Sequence, residues 1–237
     1  MAAPGPPLLL KMVRDGIIYA LVLAGLAAFA VAVGGVVWAV PFLLLAGFVL
    51  YFFRDPERII PAAGVVSPAD GKVVEVRQAQ WDGQPAWKIS IFLSVFDVHV
   101  NRSPVSGVIR AVRYTPGRFL VASKPAASVE NEQNTVTVET EDGMVVFKQI
   151  AGLLARRIVF HKKTGDRVDR GERVGLIQFG SRVDLFLPPA MRPLVAPGNR
   201  VRAGSSVLAE TGTASGRPAA GAAAADFVAA ASGSRPH

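Results

Sequence analysis

The chain has 237 residues, enough for one good-sized domain and an additional element. It contains no cysteine, which excludes disulfides, thiolate zinc sites and cysteine nucleophiles, and its only histidines are His99, His161 and His237. A formal charge of +8 and a pI near 10.3 favour an anionic partner, either nucleic acid or a negatively charged membrane surface.

Residues 1–15 form a short basic N-terminus that carries Lys11 and Arg14. From Gly16 to Phe53 there is no charged residue. As one helix this run would measure roughly 57 Å, nearly twice a hydrocarbon core of about 30 Å. Gly34-Gly35 and Pro41 interrupt it, so two helices, about 17–34 and 37–53, are expected as a membrane hairpin over 16–53. Basic residues flank both ends, Arg54 and Arg58 following the run, and the positive-inside rule puts both flanks in the cytoplasm. A cleaved signal peptide does not fit, because its apolar stretch would be only about 7–15 residues.

Residues 54–210 read as a β-rich domain. "KVVEV", "AWKISIFL", "GVIRAVRY", "NTVTVET", "MVVFKQI", "RRIVFH", "SRVDLFL" and "SSVLAE" are short, β-branched and separated by turns such as "EDGM" and "KTGDRV". The stretch from about 116 to 134 reads as a loop long enough to act as a lid. Two internal echoes stand out: "SPADGKVVEV" (67–76) with "SPVSGVIRAV" (103–112), and "GDRVDRGERVGLI" (165–177) with "GNRVRAGSSVLAE" (198–210). The second pair has the turn pattern of lipoyl- or biotinyl-carrier-like β-sandwiches, so a mainly β, barrel-sandwich-hybrid domain is expected behind the hairpin. Residues 211–237 are mostly Ala, Gly and Ser, and are expected to form a disordered tail. Within "GERVGLIQFGSRVDLFLP" (171–188), Gly180-Ser181 breaks an otherwise apolar strand run, and a glycine so placed marks a close approach of backbone.

Four motifs lie behind the hydrophobic anchor: "SPADGKV" (67–73), "FDVHVNRSPVSG" (96–107), "NEQN" (131–134) and "FGS" (179–181) leading into "RVDLFLP". Together they resemble the phosphatidylserine decarboxylase proenzymes in their short membrane-bound bacterial form, from about residue 50 to 210. The resemblance implies self-cleavage at Gly180-Ser181, with residue 181 converted into a covalent pyruvoyl cofactor. It implies phosphatidylserine in the membrane as substrate and phosphatidylethanolamine as product, on the cytoplasmic side of a bacterial cell membrane. The fragments 1–180 and 181–237 would remain together as a heterodimer, and a homo-oligomer of that pair is compatible with the sequence. Ser181, His99 and Asp70 are the implied catalytic set. "DVHVNR" places His99 at the first of two family histidine positions and Arg102 at the second, and arginine cannot act as a base at ordinary pH. His99 is the expected base, with His161 in "RIVFHKK" the alternative. Asn131 and Glu132 match a family motif and, with Arg102, Arg118 and Lys124, are candidates for substrate or lid contacts. On residues alone, Asp70 before Gly71 reads as a turn residue and each arginine as a solvated charge. No metal site is expected.

Rival classes fit less well. A non-enzymatic membrane-anchored adaptor with a lipoyl-like β domain would carry one span and long helical hairpins. A carrier modified at Lys72 would be small and acidic, and a serine hydrolase would show a Gly-x-Ser-x-Gly elbow, which the sequence lacks. No aromatic platform or motif supports nucleic-acid binding.

Overall fold

The computed structural model describes residues 8–120, 122, 127–153, 158–177 and 180–210, with side chains from Gly16 onward. The expected tail, Lys124, Phe179, His237 and the side chains of Lys11 and Arg14 therefore lie outside the described residues. The apolar run folds as α1 (Leu8–Gly34), a 3-10 turn (Val36–Ala39) and α2 (Val40–Phe52). Gly35 makes the reversal at φ +90, a conformation that favours glycine, and Pro41 sits in the first turn of α2 where its missing N–H costs nothing. The helices meet along small residues, Ala20, Ala27, Ala30 and Ala46, which let backbones approach closely. Their large apolar side chains instead face outward, including Phe29, Val33, Trp38 and Leu44. That pattern suits lipid and not a soluble core. Gly16–Gly34, with mean hydropathy 2.5, is long and apolar enough to cross a membrane, whereas Val36–Phe52 is apolar but shorter.

The remainder is mainly β, as expected. The strands are β1 (Val65–Val66), β2 (Gly71–Trp81), β3 (Gln84–Leu93), β4 (Val100–Arg102), β5 (Gly107–Thr115), β6 (Gln133–Thr140), β7 (Gly143–Ile150), β8 (Ile158–Phe160), β9 (Arg167–Val168), β10 (Arg173–Ile177), β11 (Ser181–Leu187), β12 (Arg192–Pro193), β13 (Arg200–Val201) and β14 (Val207–Glu210). They form an eight-stranded antiparallel sheet, β13-β2-β3-β11-β7-β6-β5-β9, and two three-stranded sheets, β1-β14-β12 and β4-β10-β8. The main core lies between them, built from Ile89, Ile91, Val136, Phe147, Val183, Leu185 and their neighbours. Alternate residues of β11 (Val183, Leu185, Leu187) point into this core, while Arg182, Asp184 and Phe186 point to the opposite face.

The internal echoes are two structurally equivalent halves. β2 pairs with β13 as β5 pairs with β9, in matching register: Gly71↔Val201 and Gly107↔Val168. Both turns are closed alike, by Ser67 Oγ donating to Ala69 O at 2.6 Å and by Ser103 Oγ donating to Val105 O at 2.7 Å. Gly165 and Gly198 have φ of +93 and +100, and Gly171 and Gly204 have +76 and +74. The second half, β4–β10, is one continuous segment inserted between β3 and β11 of the first. Gly180-Ser181 therefore does not interrupt a single strand. It is the junction at which the inserted half returns, from β10 in a small sheet to β11 at the centre of the large one.

Candidate active site

Ser181 opens β11, pairs with Leu93 of β3, and is fully buried. Its Oγ has no hydrogen-bond partner among the described residues. A buried hydroxyl without a partner is uncommon and calls for a reason. Gly180 before it is left-handed, at φ +57, and nothing would lie within 4 Å of a Cβ there, so backbone conformation and not space selects glycine. The next residue, Arg182, is held on the other face: Nε reaches Asp184 Oδ1 at 2.6 Å, and Nη2 reaches Glu75 Oε2 at 3.1 Å and Ser90 Oγ at 2.8 Å. Lys88 completes this cluster against Glu75 at 2.9 Å and Asp184 at 3.4 Å, and Ser128 of α3 (Ala127–Glu130) donates to Asp184 at 3.1 Å. Burial pushes the Glu75 carboxyl up, but Lys88 and Arg77 outweigh it and hold it at about 2.

His99 lies just ahead of β4 and is buried, with neither ring nitrogen hydrogen-bonded among the described residues. Its carbonyl accepts from Ile177 N at 3.3 Å, which ties it to the strand leading to the junction. Its ring lies 4.2 Å, centroid to centroid, from Phe52, the last residue of α2. Phe52 and Phe53 pack there on Val98, Val100 and Leu176, so the end of the apolar hairpin roofs the histidine. Burial is the main cause that brings the imidazole down to about 4, against the backbone and charge of Asp97, with Arg54 adding a smaller lowering. The ring is therefore neutral near pH 7 and able to accept a proton.

The other expected residues are distributed as follows. Asp70 is not hydrogen-bonded to His99: its Oδ1 accepts from Ala203 N at 2.7 Å and its Oδ2 pairs with Arg58 at 2.9 Å. Burial raises its pKa, against the Ala203 N–H and Arg58. In the equivalent half, Ser106 Oγ accepts from Arg170 N at 2.9 Å, so the turn itself requires one acceptor and the second carboxylate oxygen exceeds that need. Arg102 is buried and occupied by Asp55 (3.1 Å), Gly171 O (3.1 Å) and Pro56 O (3.4 Å), so it fixes the linker after α2 and presents no free guanidinium to a ligand. His161 is exposed at the end of β8. Arg118 is exposed, 3.4 Å from Glu130. Asn131 is buried: its Nδ2 donates to Leu120 O (2.8 Å) and Ala151 O (2.7 Å), and its Oδ1 accepts from Leu120 N (2.9 Å). Glu132 is tied in through its backbone, its N–H bonded to Arg118 O and its carbonyl to Ala151 N, while its side chain bears on the Tyr114 hydroxyl. The expected lid is thus clamped along 118–120 and 130–132. No cluster able to hold a metal occurs among the described residues.

Sequence reasoning missed three features. Asp97 is the carboxylate whose charge bears on His99, Phe52 is the ring stacked on it, and Asn134–Gln149–Asn101 form a buried amide chain (2.9 and 2.8 Å) ending on Pro68 O at 3.4 Å. The adjacency of Asp97 and His99 in "DVH" was the one available signal. Phe52 and the amide chain depend on contacts made across sheets.

The fold and these residues define a mainly β protein behind an apolar helical hairpin, with a buried, unpartnered serine next to a left-handed glycine. The model of the phosphatidylserine decarboxylase family matches residues 45–209. Phosphatidylserine decarboxylase proenzymes of Solibacter usitatus, Nitrosomonas eutropha and Ralstonia nicotianae are 55%, 52% and 50% identical to the chain. The alignments cover 84%, 74% and 76% of this chain and 97%, 84% and 86% of those proteins. The chain belongs to the phosphatidylserine decarboxylase family, and it is an enzyme of the decarboxylase class.

Proposed function

We propose that the chain is a proenzyme that cleaves itself between Gly180 and Ser181 and then converts phosphatidylserine to phosphatidylethanolamine at the cytoplasmic face of the cell membrane. The observation that carries this reading is the fully buried Ser181 Oγ, unpartnered at the start of a central strand and directly after a left-handed glycine. His99, neutral and buried, takes the hydroxyl proton; Oγ bonds to the Gly180 carbonyl carbon as the C–N bond breaks, and the freed amine receives a proton. This leaves an ester. Loss of the Cα proton of residue 181 then expels the Gly180 carboxylate and leaves dehydroalanine, whose imine tautomer takes up water and releases ammonia to give a pyruvoyl group. The orphaned hydroxyl fits a group that is consumed in this way, and serine is needed because elimination requires a leaving group on Cβ. A pyruvoyl group at residue 181 supplies the electron sink for loss of carbon dioxide from an amino-acid headgroup.

The chain's own residues do the rest. His99 returns a proton to the product carbon, and the anchor holds the domain where the lipid substrate resides. Asp70 supports the base: its turn position needs only one acceptor, and the additional oxygen, with its raised pKa, is available once released from Arg58. Asp97 opposes the charge of Arg54 on the ring. The test is intact mass spectrometry of the wild-type chain and Ser181→Ala in detergent. The wild type should give 1–180 and a 181–237 fragment blocked by a pyruvoyl group, and the variant one inactive chain. A single full-length wild-type chain in a folded, active sample would overturn the reading.

A further inference from the structure

The backbone beyond β7 closes against the proposed cleavage point. A Cβ on Gly152 would lie 1.7 Å from the carbonyl oxygen of Gly180 and 2.9 Å from its carbonyl carbon, positions that no atom can share. The two glycines at this contact are required for different reasons. Gly180 has open space around it and a left-handed φ; Gly152 has no left-handed φ, yet has backbone where a side chain would go. The wall that bears Gly152 is also rigid. The carbonyl of the preceding Ala151 accepts from Asn131 Nδ2 at 2.7 Å, and its N–H donates to Glu132 O at 2.9 Å. Asn131 is completely buried and spends its remaining bonds on Leu120. A side chain at 152 could not push this wall back, so the scissile carbonyl would move instead.

We propose that Gly152, backed by Asn131 and Glu132, is the positioning residue for the scissile carbonyl: the bare Cα lets the Gly180 C=O sit where Ser181 Oγ can reach its carbon. The proposal rests on the self-cleavage reading and assigns the Asn131–Glu132 pair a role in it. The Cα hydrogen of Gly152 is also a weak donor toward the oxygen that gains charge as the C–O bond forms. A misplacement of about 1 Å can cost about 100-fold in rate, so Gly152→Ala should slow the attack at least that much.

The test follows fragment appearance by intact mass in the full chain for wild type, Gly152→Ala and Gly107→Ala. Gly107 is a matched control, since its Cβ would lie 2.1 Å from Glu139 O at a different place in the sheet. Gly152→Ala should stay essentially uncleaved, and hydroxylamine, which splits esters, should release no fragment from it because the attack has not occurred. Gly107→Ala should lose thermal stability but cleave at close to the wild-type rate. Cleavage of Gly152→Ala within tenfold of wild type, fragments released from it by hydroxylamine, or equal slowing in Gly107→Ala at matched stability would each overturn the proposal. Should Gly152→Ala not fold, Asn131→Asp replaces both N–H donors with an oxygen at nearly constant shape. Slow cleavage in that folded variant supports the clamp, and wild-type cleavage overturns it. An uncleaved wild type would instead remove the self-cleavage reading itself.

Discussion

Replacing His99 by phenylalanine should make the uncleaved chain more resistant to acid. In the folded chain the imidazole titrates at about 4, against 6.5 ordinarily, mainly because it is buried under Phe52. Between those values the unfolded chain takes up a proton that the folded chain refuses, so stability falls as pH drops from 6.5 toward 4. Above that window the effect vanishes, and below it the penalty is constant. At about 1.36 kcal/mol per unit, the gap amounts to about 3 kcal/mol between pH 7 and pH 4. The measurement is urea unfolding in detergent at several pH values, comparing Ser181→Ala with Ser181→Ala/His99→Phe so that neither chain is cut. Carboxylates titrate in both and cancel in the comparison. The double variant should lose about 3 kcal/mol less on acidification. Parallel pH curves within about 1 kcal/mol would show that His99 is not held neutral by burial, and the assignment of a ready base would fall with it.

Other perturbations test neighbouring parts of the site. Phe52→Ala in the full chain should cost about 3 kcal/mol in urea unfolding, as for other buried aromatics, with His99 titrating nearer 6.5 in its NMR signal. An unmoved His99 titration would show that the roof does not set its environment. Arg182→Met strips the buried Asp184 of its closest cation and should destabilise by roughly 3–5 kcal/mol in the same assay. Asp70→Ser should remain folded within about 1 kcal/mol, because Ser106 fills the equivalent turn position, yet release fragments more slowly. Wild-type cleavage in that variant would reduce Asp70 to a turn residue.

Much of this architecture is legible in the sequence because it follows from local chemistry. The uncharged run with Gly34-Gly35 and Pro41 gives a helical hairpin; six of the eight β-branched stretches lie within strands of the structure, and "RRIVFH" and "SSVLAE" contain β8 and β14. The echoes 67–76/103–112 and 165–177/198–210 are equally visible, but their partnership is not. Only the register shows that the first member of each pair does not meet the other: β2 takes β13, and β5 takes β9. The short strands β4 and β10 escape notice for a related reason. They carry Arg102, Asn101, Arg173 and Gly175, residues whose place in a strand depends on pairing with each other. The site was partly legible in the same sense. His99 stands out as one of only three histidines, and Ser181 by following Gly180 in a recognisable motif. Gly152 looks like any glycine after a strand until the Gly180 carbonyl is seen against it.

The insertion of one half into the other determines what a cut at 180/181 does to the molecule. The downstream fragment contributes β11, bonded to β3 on one side and β7 on the other, at the middle of the eight-stranded sheet. It also contributes β14, bonded to β1, and β13, bonded to β2. All four partner strands belong to the upstream fragment, and Val183, Leu185 and Leu187 are fully enclosed in the shared core. Cutting at the junction severs a connection between sheets and removes no strand pairing. The fragments should therefore co-elute on size exclusion in detergent and separate only with global unfolding, at the denaturant concentration where strand structure is lost. Dissociation before that transition would mean that β11 is not held between β3 and β7 in the cleaved chain, and the new N-terminus at residue 181 would lose its fixed place in the sheet.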